Sequence, residues 1–102
     1  MASMVVTYKQ PKDVAAFEKH YFGVHVPMAK KLPGLRKYEV SRGPVAAPGS
    51  ANSYYMVATL SFDDMNAIKT AFGSPEGQAC ADDARSFIED RVEMLMFDTK
   101  EV

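Results

Sequence analysis

His25 is the residue best suited to acid–base chemistry in this chain, because it lies within a helical stripe that is otherwise apolar. At about 100° per residue, set by about 3.6 residues per turn, His25 falls in the same arc as Tyr21 and Met28. An imidazole aimed into a core must find a hydrogen-bond partner or act on a molecule held there. An ordinary imidazole has a pKa of about 6.5 and is suited to proton transfer, so His25 is one candidate for a general acid–base. The alternative is a packed core histidine. The apolar stripe comprises Val14, Phe17, Tyr21, Val24, Met28 and Leu32.

Tyrosines form a large share of the aromatic residues, and tryptophan is absent. Phenols on a sheet can line a cavity for an aromatic or quinone-like ligand and hydrogen-bond to its oxygens. The alternative for each tyrosine is packing on a strand, where this residue type is favoured. Tyr21 precedes His25 by one helical turn, which makes it the strongest candidate. The five tyrosines are Tyr8, Tyr21, Tyr38, Tyr54 and Tyr55.

The other titratable residues around these candidates fit ordinary structural roles. His20 lies five positions before His25, whereas residues three or four apart share a helix face, so His20 is predicted to be superficial or interfacial. Asp82 and Asp83 are adjacent and point in different directions, with Asp83 nearer the core face of a predicted helix. A solvated helix face is the first interpretation of both acids. No spacing typical of a metal motif occurs, so no metal site is predicted.

Cys80 is the single cysteine, which excludes an internal disulfide and favours a reducing compartment. Its helical surroundings favour a small buried hydrophobic residue over a reactive thiol. No apolar run approaches the roughly 20 residues that a membrane helix needs, and no signal peptide is visible. The predicted location is therefore the cytoplasm.

Length and charge indicate one globular domain. The 102 residues suffice for a single core, and residues 1–3 have the look of a cloning remnant, so the domain is assigned to 4–102. A net charge of −1 with both signs scattered argues against a nucleic-acid partner. No glycine-rich phosphate loop or other nucleotide motif is present, and no cofactor is predicted.

The apolar pattern predicts elements in the order β-α-β-β-α-β, with the second helical region broken in two. Pro27 lacks a backbone N–H and should distort the first helix, while Ser74 should cap the last one. Residues 43–52 are predicted to form a loop, either a hairpin connection or a mobile lip over a pocket. The strands are predicted at 4–8, 35–42, 53–62 and 92–98, the second of them near an edge of the sheet. The helices are predicted at 13–32, from 63 or 64 to 72, and at 75–87.

This order is that of a ferredoxin-like α+β fold, an antiparallel four-stranded sheet with helices on one face. A sheet with one face in water should alternate between apolar and polar residues. Instead Val5 and Val6 face opposite ways, as do Tyr55 and Met56, so both faces are predicted to be apolar. The uncovered face would then meet a second subunit or a ligand cavity, and a homodimer with sheets packed face to face is expected.

Two motifs resemble those of the EthD family of small proteins, first named for degradation of a branched ether. The first is Y-x-x-P-x-D-x-x-x-F-x-x-x-Y-x-x-x-H-x-P-x-x-x-x-x-P-G over residues 8–34. The second is FDDMNAIKTAFGSPEGQACADDARSF over residues 62–87, in which a Ser-Pro-Glu-Gly element opens a helix that carries an aspartate. The resemblance covers the chain from Met4 onward and implies a dimeric α+β barrel.

The resemblance also implies roles for single residues. His25 matches the family's helix histidine, Tyr21 its aromatic partner and Asp83 the aspartate of the second motif, and these three are the expected catalytic residues. The residues expected to contact a substrate are Tyr8, Phe17, Met28 and Tyr55.

Two functions follow from the residues and the resemblance together. One is an enzyme for a small, largely apolar carbonyl or phenol compound, with His25 as general acid–base; relatives in the superfamily include lactone isomerases, cofactor-free monooxygenases and polyketide cyclases. The other is a non-catalytic accessory protein that binds a hydrophobic intermediate or assists a partner oxygenase.

Overall fold

A computed structural model describes residues 1–49, 54–87 and 92–102. The strands are β1 (Ala2–Lys9), β2 (Lys37–Val40), β3 (Tyr54–Phe62) and β4 (Val92–Asp98). The helices are α1 (Val14–His20), a π turn (Tyr21–His25), α2 (Val26–Ala29), α3 (Met65–Gly73) and α4 (Pro75–Phe87). Within the described ranges, no helix is long and apolar enough to cross a membrane.

The strands form one antiparallel sheet in the spatial order β2-β3-β1-β4. This is the ferredoxin-like α+β arrangement, so the predicted fold class is confirmed. β2 is an edge strand, as its mixed composition suggested. Alternate residues of the two central strands are buried against the helices, and these form much of the core: Ala2, Met4, Val6, Tyr8, Met56, Ala58, Leu60 and Phe62.

The opposite face of the sheet carries apolar residues from three strands. Val5 lies at the middle of this face, between Thr59 of β3 and Leu95 of β4. Leu95 and Phe97 are 47% and 43% exposed in the single chain. The uncovered face therefore has an apolar centre, but Ser3, Thr7, Thr59 and Glu93 lie on it as well, so its predicted apolar character is only partly present.

The first strand begins earlier than predicted. Ala2 is fully buried and pairs with Phe62 on one side and Asp98 on the other. The backbone N–H of Thr99 also donates to the carbonyl of Met1. Leaving residues 1–3 out of the fold was therefore wrong, because strand pairing on both sides includes them.

The first helical region is distorted one turn before its proline. Asp13 caps α1 as predicted, since its carboxylate accepts from the N–H of Ala16 at 3.0 Å. The helix then widens into the π turn, in which the N–H of Val26 donates to the carbonyl of Tyr21, five residues back. Pro27 cannot donate an N–H, and the wider turn accommodates this loss. One consequence is that Val24 is 44% exposed, contrary to its predicted place on the core stripe.

The remaining elements follow the prediction with small changes. β2 is shorter than the predicted 35–42, whereas β4 has its predicted bounds. The loop prediction for 43–52 holds through residue 49, and its last residues, like the predicted strand start at 53, lie outside the described residues.

Gly77 explains why the Ser-Pro-Glu-Gly element ends in glycine. Ser74 caps α4, because its Oγ accepts from the N–H of Gly77 at 3.0 Å. The junction with α3 is so tight that a Cβ on Gly77 would lie 2.1 Å from the carbonyl oxygen of Ala71 and 2.5 Å from Cα of Phe72. Both contacts are backbone, so the α3–α4 packing requires a residue without a side chain.

Gly77→Ala is therefore expected to destabilise the protein by about 1–3 kcal/mol, the usual cost of overpacking. Thermal unfolding followed by circular dichroism measures this loss as a lower melting temperature. Gly73→Ala is the matched control, since a Cβ there meets no atom within 4 Å. A Gly77→Ala protein as stable as the Gly73→Ala protein would contradict the packing argument.

Candidate active site

A cavity of about 370 Å³ lies between the sheet and the helices. This volume is within the range of small-molecule sites. Apolar side chains form most of its wall, including Met94 and Met96 of the edge strand β4. The polar or titratable residues that line it are Tyr8, His25, Tyr38, Lys69 and Cys80.

His25 is held at the wall of this cavity by a carboxylate from the neighbouring helix α4. Its Nδ1 lies 3.0 Å from Oδ2 of Asp83, and Nε2 of His20 lies 2.8 Å from Oδ1 of the same residue. The side chains of His25 and Asp83 are only 9% and 11% exposed, whereas that of His20 is 33% exposed. Asp83 therefore bridges the two histidines.

The π turn makes this bridge possible. An α-helix brings residues three or four apart together, whereas a π turn superposes residues five apart. His20 and His25 consequently reach the same carboxylate across the turn. His20 is partly exposed, as expected of a superficial residue, but its contact with Asp83 was not predicted. Asp83 belongs to the buried network rather than to a solvated helix face.

Burial decides the protonation of His25. Removal from water lowers its pKa below the ordinary 6.5, and the hydrogen bond with Asp83 opposes that shift without overcoming it. His25 is therefore neutral at pH 7. An ionised carboxylate only accepts hydrogen bonds, so Nδ1 carries the proton and Nε2 is the basic nitrogen. Nε2 lies 3.8 Å from Sγ of Cys80, another residue of the cavity wall.

Tyr21 lies behind the cavity instead of lining it. Its side chain is fully buried, and its hydroxyl is 2.5 Å from that of Tyr38 and also hydrogen-bonds with Tyr8. Tyr8 and Tyr38 are the phenols that reach the cavity. Burial raises the pKa of all three phenols, so each hydroxyl stays protonated at neutral pH. Tyr21 was predicted to be the cavity tyrosine, but its two hydrogen-bond partners, Tyr8 and Tyr38, line the cavity instead.

The other predicted substrate contacts divide in the same way. Tyr8 lines the cavity, whereas Phe17, Met28 and Tyr55 are not among the described residues that line it. Phe17 stacks on Tyr21, with ring centroids 5.6 Å apart, and Tyr55 meets Phe17 edge-on at 5.8 Å. A register shift after Tyr8 in the β1–β3 ladder accompanies this placement. Phe17 therefore packs behind the cavity, whereas Tyr55 lines a separate pocket with Tyr54 and Met56.

The sequence analysis named Tyr38 among five tyrosines that could line a cavity without selecting it as a substrate contact, and it missed Lys69 and Cys80 as cavity residues. Tyr38 had a usable signal, because it alternates with Lys37 and Glu39 on a strand and so points to the face opposite these charges. Lys69 and Cys80 had none, since their position depends on how α3 and α4 pack on the sheet. Among residues 1–49, 54–87 and 92–102, no group of three or more His, Cys, Asp or Glu residues is arranged to hold a metal ion.

Solved structures with low sequence identity share this fold. A dimeric ferredoxin-like protein of unknown function from Thermobifida fusca has a TM-score of 0.68 at 10% identity, with 96% of this chain and 90% of that chain covered. SnoaB, a cofactor-independent oxygenase from Streptomyces nogalater, has a TM-score of 0.63 at 20% identity, with 99% and 94% covered. At these identities the likeness concerns the fold alone.

Two relatives are similar in sequence as well. An uncharacterised 11.0 kDa protein from the thcB-thcC intergenic region of Rhodococcus erythropolis is 33% identical over 102 residues, covering 100% of this chain and 98% of that protein. The crystal structure of an ethyl tert-butyl ether degradation (EthD) family protein from Bacillus halodurans has a TM-score of 0.87 at 31% identity, with 98% and 99% covered. The family model of the EthD domain matches residues 9–91. The chain therefore belongs to the EthD family, as its two sequence motifs indicated.

Proposed function

We propose that this protein is a cofactor-independent enzyme that transfers protons on a small, largely apolar carbonyl or phenol compound, with His25 as general acid–base. One observation carries the proposal: Nδ1 of His25 lies 3.0 Å from the carboxylate of Asp83, which favours the Nδ1–H tautomer and leaves Nε2 as the basic nitrogen of a residue at the wall of an apolar cavity. A base of this kind, oriented by a carboxylate and sheltered from water, is suited to proton abstraction.

The proposed reaction begins with a substrate held by the apolar wall. Tyr8 and Tyr38 line the same cavity, and we propose that their hydroxyls donate to a substrate oxygen. Nε2 of His25 then removes a proton from a carbon next to the carbonyl, or from a phenol, and the oxygen gains the negative charge. The resulting enolate or phenolate can be reprotonated elsewhere, as in an isomerase, or can close a ring, as in a cyclase. The enolate or phenolate can also donate an electron directly to molecular oxygen, and this is the step that a cofactor-independent oxygenase would use.

Family membership and the fold support a role with small molecules. SnoaB, which shares the fold, is a cofactor-independent oxygenase. A single cysteine forms no internal disulfide, which fits a reducing compartment, so the cytoplasm is the proposed location.

The alternative function, a non-catalytic binder of hydrophobic intermediates, is favoured by the mainly apolar cavity wall. Hydrogen–deuterium exchange of 2-tetralone, a bicyclic ketone with acidic hydrogens beside its carbonyl, separates the two functions. The protein is expected to accelerate loss of these hydrogens in D₂O, as followed by proton NMR. The rate should be independent of pH around neutrality and should fall only at more acidic pH, because the pKa of His25 is lowered below its ordinary 6.5 and the residue keeps its base form at neutral pH.

His25→Gln is expected to slow this exchange by about 10²–10⁴-fold, the usual contribution of a general base. The glutamine amide can still donate to Asp83 but offers no basic nitrogen. His20→Gln is the matched control, since His20 also bonds Asp83 but lies away from the cavity, and a much smaller loss is expected. Ketone binding without accelerated exchange would overturn the catalytic proposal in favour of the binder.

We also propose that two copies of the chain pack through the uncovered sheet faces. The apolar residues there would be exposed in a single chain, and burying them is favourable. The structure from Thermobifida fusca that shares the fold is described as dimeric.

Val5→Lys is expected to convert the dimer to a monomer, because it would bury a charge at the middle of that face. Light scattering should give twice the 11.3 kDa chain mass for the unchanged protein and a single chain mass for this variant. Val24→Lys removes an exposed apolar residue of the π turn and should leave the mass unchanged. A monomeric unchanged protein at micromolar concentration would contradict the dimer.

A further inference from the structure

We propose that Cys80 is a nucleophile in this cavity, which His25 deprotonates as the sulfur adds to an electrophilic α,β-unsaturated ketone or quinone. The inference rests on the proposed function, since it uses the same cavity and the same base. It adds a covalent step and a substrate class that proton transfer alone does not require.

Cys80, His25 and Asp83 form a nucleophile–base–carboxylate series. Cys80 and Asp83 lie three residues apart on α4, so they share one face of that helix. Sγ of Cys80 is 3.8 Å from Nε2 of His25, and Nδ1 of His25 is 3.0 Å from Asp83. Because Nδ1 carries the ring proton, the thiol S–H donates to Nε2. This is the order of groups by which a base activates a thiol or hydroxyl.

The surroundings of Cys80 explain why it needs that base. The residue is 5% exposed, and burial raises the pKa of its thiol to about 11. At neutral pH it is therefore a thiol at rest, and the proton must leave as the sulfur attacks. Tyr8 and Tyr38 line the same cavity as Cys80, so a ligand bound there can meet the thiol and these tyrosines together.

The step balances without an oxidant or reductant. A bond forms between Sγ and the β-carbon of the unsaturated ketone, while the carbon–carbon π pair moves toward the carbonyl oxygen. Nε2 of His25 takes the thiol proton, and a phenol hydroxyl donates to the enolate oxygen. The imidazolium then returns the proton to the α-carbon, which leaves a thioether adduct and a neutral His25. Reversal of these transfers releases the ligand.

N-ethylmaleimide, a small α,β-unsaturated imide, tests the inference on the folded protein. Intact-mass spectrometry measures the rate of adduct formation between pH 5.5 and 8. We expect one adduct, absent in Cys80→Ser, and a rate that forms a plateau around neutral pH, because the lowered pKa of His25 leaves this residue in its base form there. His25→Gln should slow the reaction by about 10²-fold or more at pH 7, and its rate should rise tenfold per pH unit. Asp82→Asn, which replaces an exposed acid on the same helix, should retain the plateau of the unchanged protein.

Two results would overturn the inference. One is a rate in the unchanged protein that rises tenfold per pH unit up to pH 8, as for an unassisted thiol with a pKa of about 11. The other is no adduct in the folded protein while the same chain reacts in guanidinium chloride. Cys80→Ser separates this failure from that of the proposed function, because exchange of 2-tetralone needs His25 and not the sulfur. If 2-tetralone exchange persists but the rate of adduct formation shows no plateau, then the nucleophilic role of Cys80 is excluded, whereas the proposed general-base role of His25 is not.

Discussion

Replacing Asp83 by asparagine is expected to slow 2-tetralone exchange by about 10²–10⁴-fold, as much as removal of the His25 imidazole itself. The carboxylate accepts from both histidines, with Oδ2 facing Nδ1 of His25. An asparagine side chain has one accepting oxygen and one donating amino group. The amino group of asparagine can only donate a hydrogen bond, so the histidine that lies next to it must accept this bond through an unprotonated ring nitrogen. If that residue is His25, its proton moves to Nε2, and no base faces the cavity.

The charge of Asp83 contributes as well. It raises the pKa of His25 against the effect of burial, so its removal should lower that pKa further and weaken the base. Nitrogen NMR of the imidazole distinguishes the tautomers, and Asp83→Asn should increase the Nε2–H form. The double variant with His25→Gln should be no slower than either single variant, because the two residues act as one unit.

Asp82→Asn is the matched control for this prediction. Asp82 is the adjacent acid on α4, but its side chain is 70% exposed and pairs with Arg85 at 2.6 Å. Its replacement should leave the exchange rate and the His25 tautomer unchanged. Equal losses from both asparagine variants would mean that helix stability, and not orientation of His25, limits the rate.

The sequence predicted the parts of this fold that depend on local chemistry. Asp13 and Ser74 cap their helices as expected, because each side chain bonds an N–H only three residues ahead. The alternating strands and their order were sufficient to predict the fold class. His25 was predicted to face the core, and it is 7% exposed at the cavity wall.

The network around His25 could not be predicted in the same way. Its geometry depends on a π turn that Pro27 suggests only as an unspecified distortion, and on an aspartate 58 residues away. The helical period of 3.6 placed His20 on another face, and the wider turn reverses that conclusion. Tyr38 joined the site because antiparallel pairing of β2 with β3 brings its hydroxyl to Tyr21, a contact between residues 17 apart.

Tyr21→Ala is expected to cost about 3–5 kcal/mol of unfolding free energy, a large part of the roughly 5–15 kcal/mol typical of a domain. The ring is fully buried, and its centroid lies within 5.6 Å of those of four neighbours, so its removal leaves a cavity. Those neighbours are Tyr8, Phe17, Phe22 and His25. Denaturant unfolding measures this loss.

Tyr21→Phe separates the ring from its hydroxyl. It keeps the aromatic packing but removes the partner of the Tyr38 hydroxyl, which should cost about 1–3 kcal/mol. Because Tyr21 lies outside the cavity wall, this variant should keep most of the 2-tetralone exchange rate while it folds. Tyr38→Phe removes the hydroxyl of a residue that lines the cavity and should slow exchange more than Tyr21→Phe does, even where the two lose similar stability. If Tyr21→Phe slowed exchange more than Tyr38→Phe, then Tyr21 and not Tyr38 would be the tyrosine that donates to the substrate oxygen.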